Sequence, residues 1–102
     1  MYMAIKNTQK GKIVMKILKV ACAGTLESSD TYVELEPCEE LDITIESVVE
    51  KQFGDRIEQA VKEVLTEYGV ERAKVRVIDR GALDCTIRAR VETALMRAGG
   101  EA

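Results

Sequence analysis

One short segment of the 102-residue chain groups side chains that could take part in chemistry. It reads Gly-Thr-Leu-Glu-Ser-Ser-Asp over residues 24–30 and places two adjacent hydroxyls, Ser28 and Ser29, among acids and an upstream glycine. A serine in an exposed loop can be modified by an external enzyme without an activating neighbour, and a phosphodiester made there survives where a carboxylate ester would hydrolyse. Ser and Asp are also ordinary turn residues, so composition alone favours a plain hairpin loop.

The remaining composition disfavours catalysis by the chain itself. The sequence has no histidine, which removes Ser-His-Asp and Cys-His pairs and the commonest general base near neutral pH. A lysine or a carboxylate could still act as a base. The chain has three widely spaced cysteines, Cys22, Cys38 and Cys85. An odd number at this spacing favours reduced thiols over a disulfide framework or a zinc site. We therefore expect no catalytic residues and no metal ligands.

Charge is unevenly distributed along the chain, whose net charge is −3. No basic residue lies between Lys19 and Lys51, whereas nine acidic residues do. This run is either a solvated face or a negative patch that steers the protein to basic docking sites on partner enzymes. The absence of cations there argues against nucleic acid as a partner.

No apolar run approaches the ~20 residues that span a bilayer, so we expect a cytoplasmic protein without membrane contact. Residues 13–24 resemble a signal peptide, but Lys16 and Lys19 interrupt the apolar centre. The apolar stretch 13–21 therefore predicts a first strand, followed by a loop over 22–30.

Two further stretches alternate between apolar and polar residues and predict strands at 31–36 and 41–47. The first places Val33 and Leu35 inward, and the second Leu41, Ile43 and Ile45. Because only residues 37–40 separate them, we expect the two strands to pair antiparallel.

Apolar residues then recur at helical spacing and predict a helix that ends before Gly69. Its start is ambiguous, since Asp55 is a possible N-cap while 49–53 could form a first turn. A strand is predicted at 73–79 and a turn at Arg80–Gly81. The last helix is predicted at 82–98. The residues expected to face inward are Leu83, Ile87, Val91, Ala94, Leu95 and Ala98. Those expected to face solvent are Arg88, Arg90, Glu92 and Arg97.

This order, β-β-β-α-β-α, predicts an α+β fold: a mostly antiparallel four-stranded sheet with two helices packed on one face. Residues 15–102 are expected to form one domain. Residues 1–14 are expected to be a leader that is disordered or not native.

Three blocks in the same order carry a resemblance to a known family. They are residues 23–30 (AGTLESSD), 47–55 (SVVEKQFGD) and 79–85 (DRGALDC), the last followed by IRAR at 87–90. The chain resembles the citrate lyase acyl carrier proteins (gamma subunits) in these blocks, which cover most of residues 15–98.

The resemblance implies a carrier with no catalytic residues of its own. Ser28 would hold 2′-(5″-triphosphoribosyl)-3′-dephospho-CoA (phosphoribosyl dephospho-CoA) through a phosphodiester, and only the resemblance selects Ser28 over Ser29. The arm's thiol would carry acetyl and citryl groups between an alpha (acyl transferase) and a beta (citryl lyase) subunit, which together convert citrate to acetate and oxaloacetate in bacterial citrate fermentation. A prosthetic-group transferase would attach the arm. Asp84 is expected to cap or solvate the first helical turn, and Cys85 to lie on or near a buried face.

Two other functions stay open. The carrier of malonate decarboxylase uses the same kind of prosthetic group, although EKQFG at 50–54 and GALDC at 81–85 favour the citrate enzyme. A small interaction domain with an acidic face would use Ser28 only as a turn residue. An independent enzyme is the weakest alternative.

Overall fold

The computed structural model describes residues 15–47 and 51–99, with side chains from Gly54 onward in the second stretch. The elements follow the predicted order and confirm the α+β fold. They are β1 (Ala21–Gly24), β2 (Thr31–Glu36), β3 (Leu41–Ser47), α1 (Lys51–Glu67), β4 (Ala73–Asp79) and α2 (Asp84–Ala98). The predicted leader, 1–14, lies outside the described residues.

The four strands form one mixed sheet in the order β1-β2-β4-β3. β1 pairs with β2 and β2 with β4 antiparallel, whereas β3 and β4 are parallel. In register, Val33 lies opposite Val77 and Leu35 opposite Val75. These four valine and leucine side chains are completely buried, so β2 and β4 form the centre of the sheet.

The predicted antiparallel pairing of β2 with β3 is wrong, because β4 lies between them. β4 buries one whole face, whereas Ile43 and Ile45 of β3 are only half-buried, which suits β3 to the edge. Neighbouring strands are about 4.8 Å apart, so the link over 37–40 must cross about 10 Å. Four extended residues span that distance.

The predicted first strand is also wrong in position. Residues 15–20 do not join the sheet; Met15 and Ile17 are buried and make single bridging pairs with Val70 and Gly99. Leu18 and Val20 are exposed. The strand begins only at Ala21, so the predicted loop over 22–30 shortens to 25–30. Residues 13 and 14 lie outside the described part of the chain.

The core lies between one face of the sheet and the two helices. Burial of these aliphatic side chains is the main stabilising term in a domain of this size. Two residues predicted inward are exposed: Leu41 (43%) opens an edge strand, and Leu83 (72%) precedes the first turn of α2. The largest fully buried apolar side chains are Val33, Leu35, Val61, Val64, Leu65, Val75, Val77, Ile87, Val91 and Leu95.

Helix α1 begins at Lys51, so Asp55 is an exposed residue within the helix and not its N-cap. Its end is as predicted. The Val70 N–H donates to the Leu65 carbonyl at 2.9 Å and the Gly69 N–H to the Thr66 carbonyl at 3.1 Å. This is a Schellman motif, and Gly69 takes the left-handed conformation that it requires (φ 71°).

Helix α2 begins two residues later than predicted, at Asp84. Asp84 lies in the first turn and forms an exposed ion pair with Arg56 at 3.5 Å. Cys85 is exposed and lies near the buried face of α2, which starts at Ile87, and not on it. Within residues 15–47 and 51–99, no helix has the length and apolar character needed to cross a membrane.

Candidate functional site

Ser28 lies at the tip of the six-residue loop that joins β1 to β2. The Asp30 N–H donates to the Glu27 carbonyl at 3.1 Å, which closes a turn with Ser28 and Ser29 at its centre. Both serines are exposed. Across the part of the chain that the structure describes, nothing hydrogen-bonds to Ser28, so its hydroxyl is open to solvent.

Ser29 is held differently from Ser28. Its N–H donates to the Arg80 carbonyl at 2.8 Å, and its backbone takes the left-handed conformation (φ 65°) that few non-glycine residues adopt. The Arg80 N–H in turn donates to the Asp30 carbonyl at 2.9 Å. The loop is therefore attached by its backbone to the turn that follows β4.

Asp30 is the acceptor that organises the loop. Its carboxylate accepts two hydrogen bonds from Arg90 of α2, Nε to Oδ1 at 2.9 Å and Nη2 to Oδ2 at 3.1 Å. The Thr25 hydroxyl donates to Oδ2 and the Thr31 N–H to Oδ1, both at 2.7 Å. Hydrogen bonds from Thr25, Arg90 and Thr31 lower the pKa of Asp30 to about 2, so the carboxylate is ionised at neutral pH.

Asp79, at the end of β4, is a second and deeper acceptor. It is 1% exposed and accepts from the Thr31 hydroxyl at 2.8 Å and the Ser47 hydroxyl at 3.2 Å. The Gly81 and Ala82 N–H groups donate to it at 3.0 and 3.1 Å. One carboxylate thereby joins the start of β2, the end of β3 and the turn before α2.

Gly24, the last residue of β1, is a place where only glycine fits. Its φ is +92°, and a Cβ there would lie 1.8 Å from the Thr31 carbonyl oxygen and 3.1 Å from Arg90 Cδ. The missing side chain lets the backbone of β2 and the stem of Arg90 approach the loop closely.

Two cavities formed by described residues lie apart from the two serines. A cleft of about 380 Å³ opens beside the loop between the starts of the helices, lined among others by Ile57, Gly81 and Leu83. A groove of about 440 Å³ lies at the opposite end of the sheet, beside Met15 and Pro37. Neither is lined by Ser28 or Ser29.

The three cysteines, Cys22, Cys38 and Cys85, are free and exposed. Among the described residues, no three His, Cys, Asp or Glu side chains lie close enough to hold a metal ion.

The predicted loop position of Ser28 and Ser29 agrees with the structure, but the residues that support the loop were missed. Arg90 was placed with the solvent-facing side chains, yet it is only 39% exposed and lies against Asp30. Asp79 was assigned no role beyond its strand. Spacing cannot detect contacts across 60 and 48 residues; the one available signal was that Asp30, Asp79 and Arg90 all fall in the blocks that carry the family resemblance.

Sequence comparison relates the chain to named proteins. The family described as malonate decarboxylase delta subunit (MdcD) matches residues 18–98. A citrate lyase acyl carrier protein of Haemophilus influenzae (strain PittEE) is 59% identical over 87 residues, covering 85% of this chain and 92% of that protein. One from Serratia proteamaculans (strain 568) is 58% identical over 86 residues, covering 82% and 84%.

The fold is also found in solved structures. One chain of the crystal structure of a Pseudomonas malonate decarboxylase hetero-tetramer in complex with malonate superposes with a TM-score of 0.73. It is 22% identical, and the match covers 84% of this chain and 90% of that one. At this identity the likeness establishes a shared fold.

These relatives confirm the family resemblance seen in the three sequence blocks, and with it the prediction of a carrier subunit that is not itself an enzyme. Acyl carrier proteins as a class bear their acyl groups on a prosthetic group. The chain belongs to the acyl carrier family that includes the citrate lyase acyl carrier proteins and the malonate decarboxylase delta subunits.

Proposed function

We propose that this chain is the acyl carrier subunit of a citrate lyase and that Ser28 is the attachment point of its phosphoribosyl dephospho-CoA group. Identity of 59% to a citrate lyase acyl carrier protein supports the first part. The observation that carries the second is the open Ser28 hydroxyl at the tip of a braced loop.

The surroundings of Ser28 fit a large covalent substituent. Its hydroxyl is exposed and makes no hydrogen bond with any described residue, so esterification disrupts no contact there. The neighbouring backbone is held by Asp30 and by the Arg80 carbonyl, so the anchor stays in place while the substituent extends into solvent. Ser29 fits less well, because its own backbone is fixed in the left-handed conformation.

When bound, the group supplies a thiol that holds acyl groups as thioesters on a long arm. The protein supplies the Ser28 oxygen as anchor and a compact surface for recognition. A tether raises the effective concentration of its acyl group at two successive active sites, which the alpha and beta subunits would provide. The chain itself then needs no general base, in keeping with a sequence that has no histidine.

Intact-mass measurement after co-expression with the prosthetic-group transferase, in the presence of the group's precursor, tests the attachment site. We expect a single large adduct on the wild type and none on Ser28→Ala. Ser29→Gly is the matched control, because glycine accepts φ 65° without strain and leaves the Ser28 hydroxyl in place. It should carry the full adduct.

Each other outcome has a definite meaning. An unmodified wild type would contradict the carrier function and favour an interaction domain. An adduct that survives Ser28→Ala would move the attachment site to another residue.

Malonate decarboxylase is the second candidate, favoured by the description of the matching family and by the structural likeness. Identity of 22% to the malonate decarboxylase chain against 59% to the citrate lyase carrier supports the first candidate over it. Reconstitution of the modified protein with the subunits of each enzyme separates the two. We expect citrate cleavage with citrate lyase subunits and no malonate decarboxylation with the others.

A further inference from the structure

We propose that Arg90 is a positioning residue for the modification of Ser28: its paired contact with Asp30 holds the β1–β2 loop in the conformation that presents the Ser28 hydroxyl to the transferase. This inference rests on the proposed function and assigns a role to a helix residue far from Ser28 in sequence.

The geometry of the Arg90–Asp30 pair suits it to hold a backbone in place. Two nitrogens of one guanidinium donate to the two oxygens of one carboxylate, at 2.9 and 3.1 Å. Such a two-point contact fixes orientation as well as distance. The Asp30 side chain is only 14% exposed, so water competes little for the carboxylate.

From Asp30 the contacts reach both stems of the loop. On one side the Thr31 N–H donates to Oδ1 at the start of β2. On the other side the Thr25 hydroxyl donates to Oδ2 and also accepts the Glu27 N–H at 3.2 Å. The chain of contacts thus runs from α2 through Asp30 to Glu27, the residue immediately before Ser28.

Gly24, at the end of β1, leaves room for the Arg90 side chain. A Cβ at Gly24 would lie 3.1 Å from Arg90 Cδ, a tight contact that the glycine avoids. The arginine stem therefore passes over the end of β1 at the one residue without a side chain, which gives the guanidinium its route to Asp30.

The expected consequence is kinetic. Without the Arg90–Asp30 contact, the transferase must itself order the loop, and the lost backbone freedom opposes that ordering. The hydroxyl itself remains, so modification should still go to completion. Misplacement of a reacting group by about 1 Å can cost roughly a hundredfold in rate. We therefore expect slower modification with an unchanged final extent.

The experiment compares initial rates of adduct formation, by intact mass at a fixed transferase concentration, for matched variants of the full chain. We expect Arg90→Gln to lower the rate at least about tenfold. Arg90→Lys should fall between it and the wild type, because an ammonium group supplies one point charge in place of a fork. Arg88→Gln is the control, since Arg88 on the same helix pairs with Glu63 and Glu67 of α1; it should stay within about twofold of wild type.

A second pair of variants tests the same chain of contacts within the loop. Thr25→Val removes the hydroxyl that joins Asp30 to the Glu27 N–H, and should slow modification. Thr25→Ser keeps that hydroxyl and should restore the wild-type rate. Thr25 is exposed, so neither variant depends on refilling a core position. Amide hydrogen exchange at Glu27 and Ser29 should speed up in Arg90→Gln and Thr25→Val only.

The possible results separate this inference from the function beneath it. If the wild type is modified and Arg90→Gln and Thr25→Val are modified at the same rate, the positioning role is overturned and the carrier function is unaffected. If Thr25→Ser is modified as slowly as Thr25→Val, the positioning role is also overturned, because Thr25→Ser keeps the hydroxyl. An unmodified wild type would remove the proposed function, and the positioning role with it.

Discussion

Two aspartates at the Ser28 end of the sheet act as backbone anchors. Asp30 and Asp79 each accept four hydrogen bonds, and three of these eight come from backbone N–H groups. A carboxylate so fully engaged has little freedom left to exchange protons with a substrate. At the residue scale, the acids near Ser28 therefore support the loop, and the chemistry would be left to the group that we propose on Ser28.

Asp79 should be the more important of the two for stability. In Asp79→Ala, the buried Thr31 hydroxyl and the part-buried Gly81 and Ala82 N–H groups lose this acceptor, and a buried donor left unsatisfied costs about 1–3 kcal/mol. Local rearrangement and water recover part of this, so we expect a loss of about 3 kcal/mol in the free energy of unfolding, measured with urea. The control Asp55→Asn, at an exposed helix position, should change it by less than about 0.5 kcal/mol. A similar small change in Asp79→Ala would contradict the anchoring role.

Asp30 should make stability depend on pH. Its pKa is lowered from an ordinary 3.8 to about 2 by Thr25, Arg90 and Thr31, so its contribution is present above about pH 4 and is lost as pH falls through about 2. Because the Arg90 side chain is 39% exposed, solvent screening reduces this contribution to about 1–2 kcal/mol. Urea unfolding of wild type and Asp30→Asn should therefore show a stability difference at pH 6 that narrows by about this amount at about pH 2. Parallel pH profiles would show that Asp30 is not held as described.

At the element scale, the β1–β2 connection works because a short strand, a tight loop and a helix side chain meet at Gly24. β1 has only four residues, and Ala23 is its one buried side chain. The connection is therefore held mainly by backbone pairing with β2 and by the contacts of Asp30. A substitution at Gly24 should accordingly disturb both β1 and the β1–β2 loop.

The two glycines Gly24 and Gly54 offer a matched test. Gly24→Ala places a Cβ 1.8 Å from the Thr31 carbonyl oxygen at φ +92°, and we expect it to destabilise the protein by about 3 kcal/mol. In Gly54→Ala a Cβ in α1 meets nothing within 4 Å, and the better helix former should stabilise by about 0.5–1 kcal/mol. Urea unfolding measures both. Equal effects would mean that the close approach at Gly24 is absent in solution.

At the scale of the whole molecule, the acidic run does not form a purely acidic face. β4 lies between β2 and β3 and places two basic side chains among their acidic ones. Lys74 lies opposite Glu36 on one side and Asp42 on the other, and Arg76 pairs with Glu34 at 3.6 Å. The face of the sheet that the helices leave open is a mixture of charges with an acidic excess. Long-range attraction to a basic partner should therefore be present and moderate.

Association with the partner subunits tests this distribution. If the acidic excess guides docking, the association rate should fall by about tenfold between about 0.1 and 1 M NaCl, as the Debye length shortens from about 10 to 3 Å. The double variant Asp42→Asn, Glu46→Gln should associate more slowly at low salt and depend less on salt. Stopped-flow mixing with the alpha and beta subunits of the proposed citrate lyase measures both. A salt-independent wild-type rate would leave the acidic run as a solvated surface.

Local patterns in the sequence were sufficient for the element order and for several boundaries. The alternation in TYVELE, LDITIES and AKVRVID predicted β2, β3 and β4 to the residue. Successive side chains of a strand point to opposite faces, so a strand with one face toward the core has apolar residues at every second position. Gly69 marked the end of α1 for an equally local reason, since a left-handed C′ residue favours glycine. The loop position of Ser28 followed from its turn-forming neighbours.

Only the tertiary structure decided which elements are neighbours. The placement of β4 between β2 and β3 and the position of residues 15–20 outside the sheet were not predicted. Nor were the contacts of Arg90 with Asp30 and of Asp79 with Thr31, which join residues far apart in the chain. A strand's own alternation is the same whichever strand lies beside it, so pairing depends on how all the buried faces fit together at once. The physical support of Ser28 is a property of that arrangement.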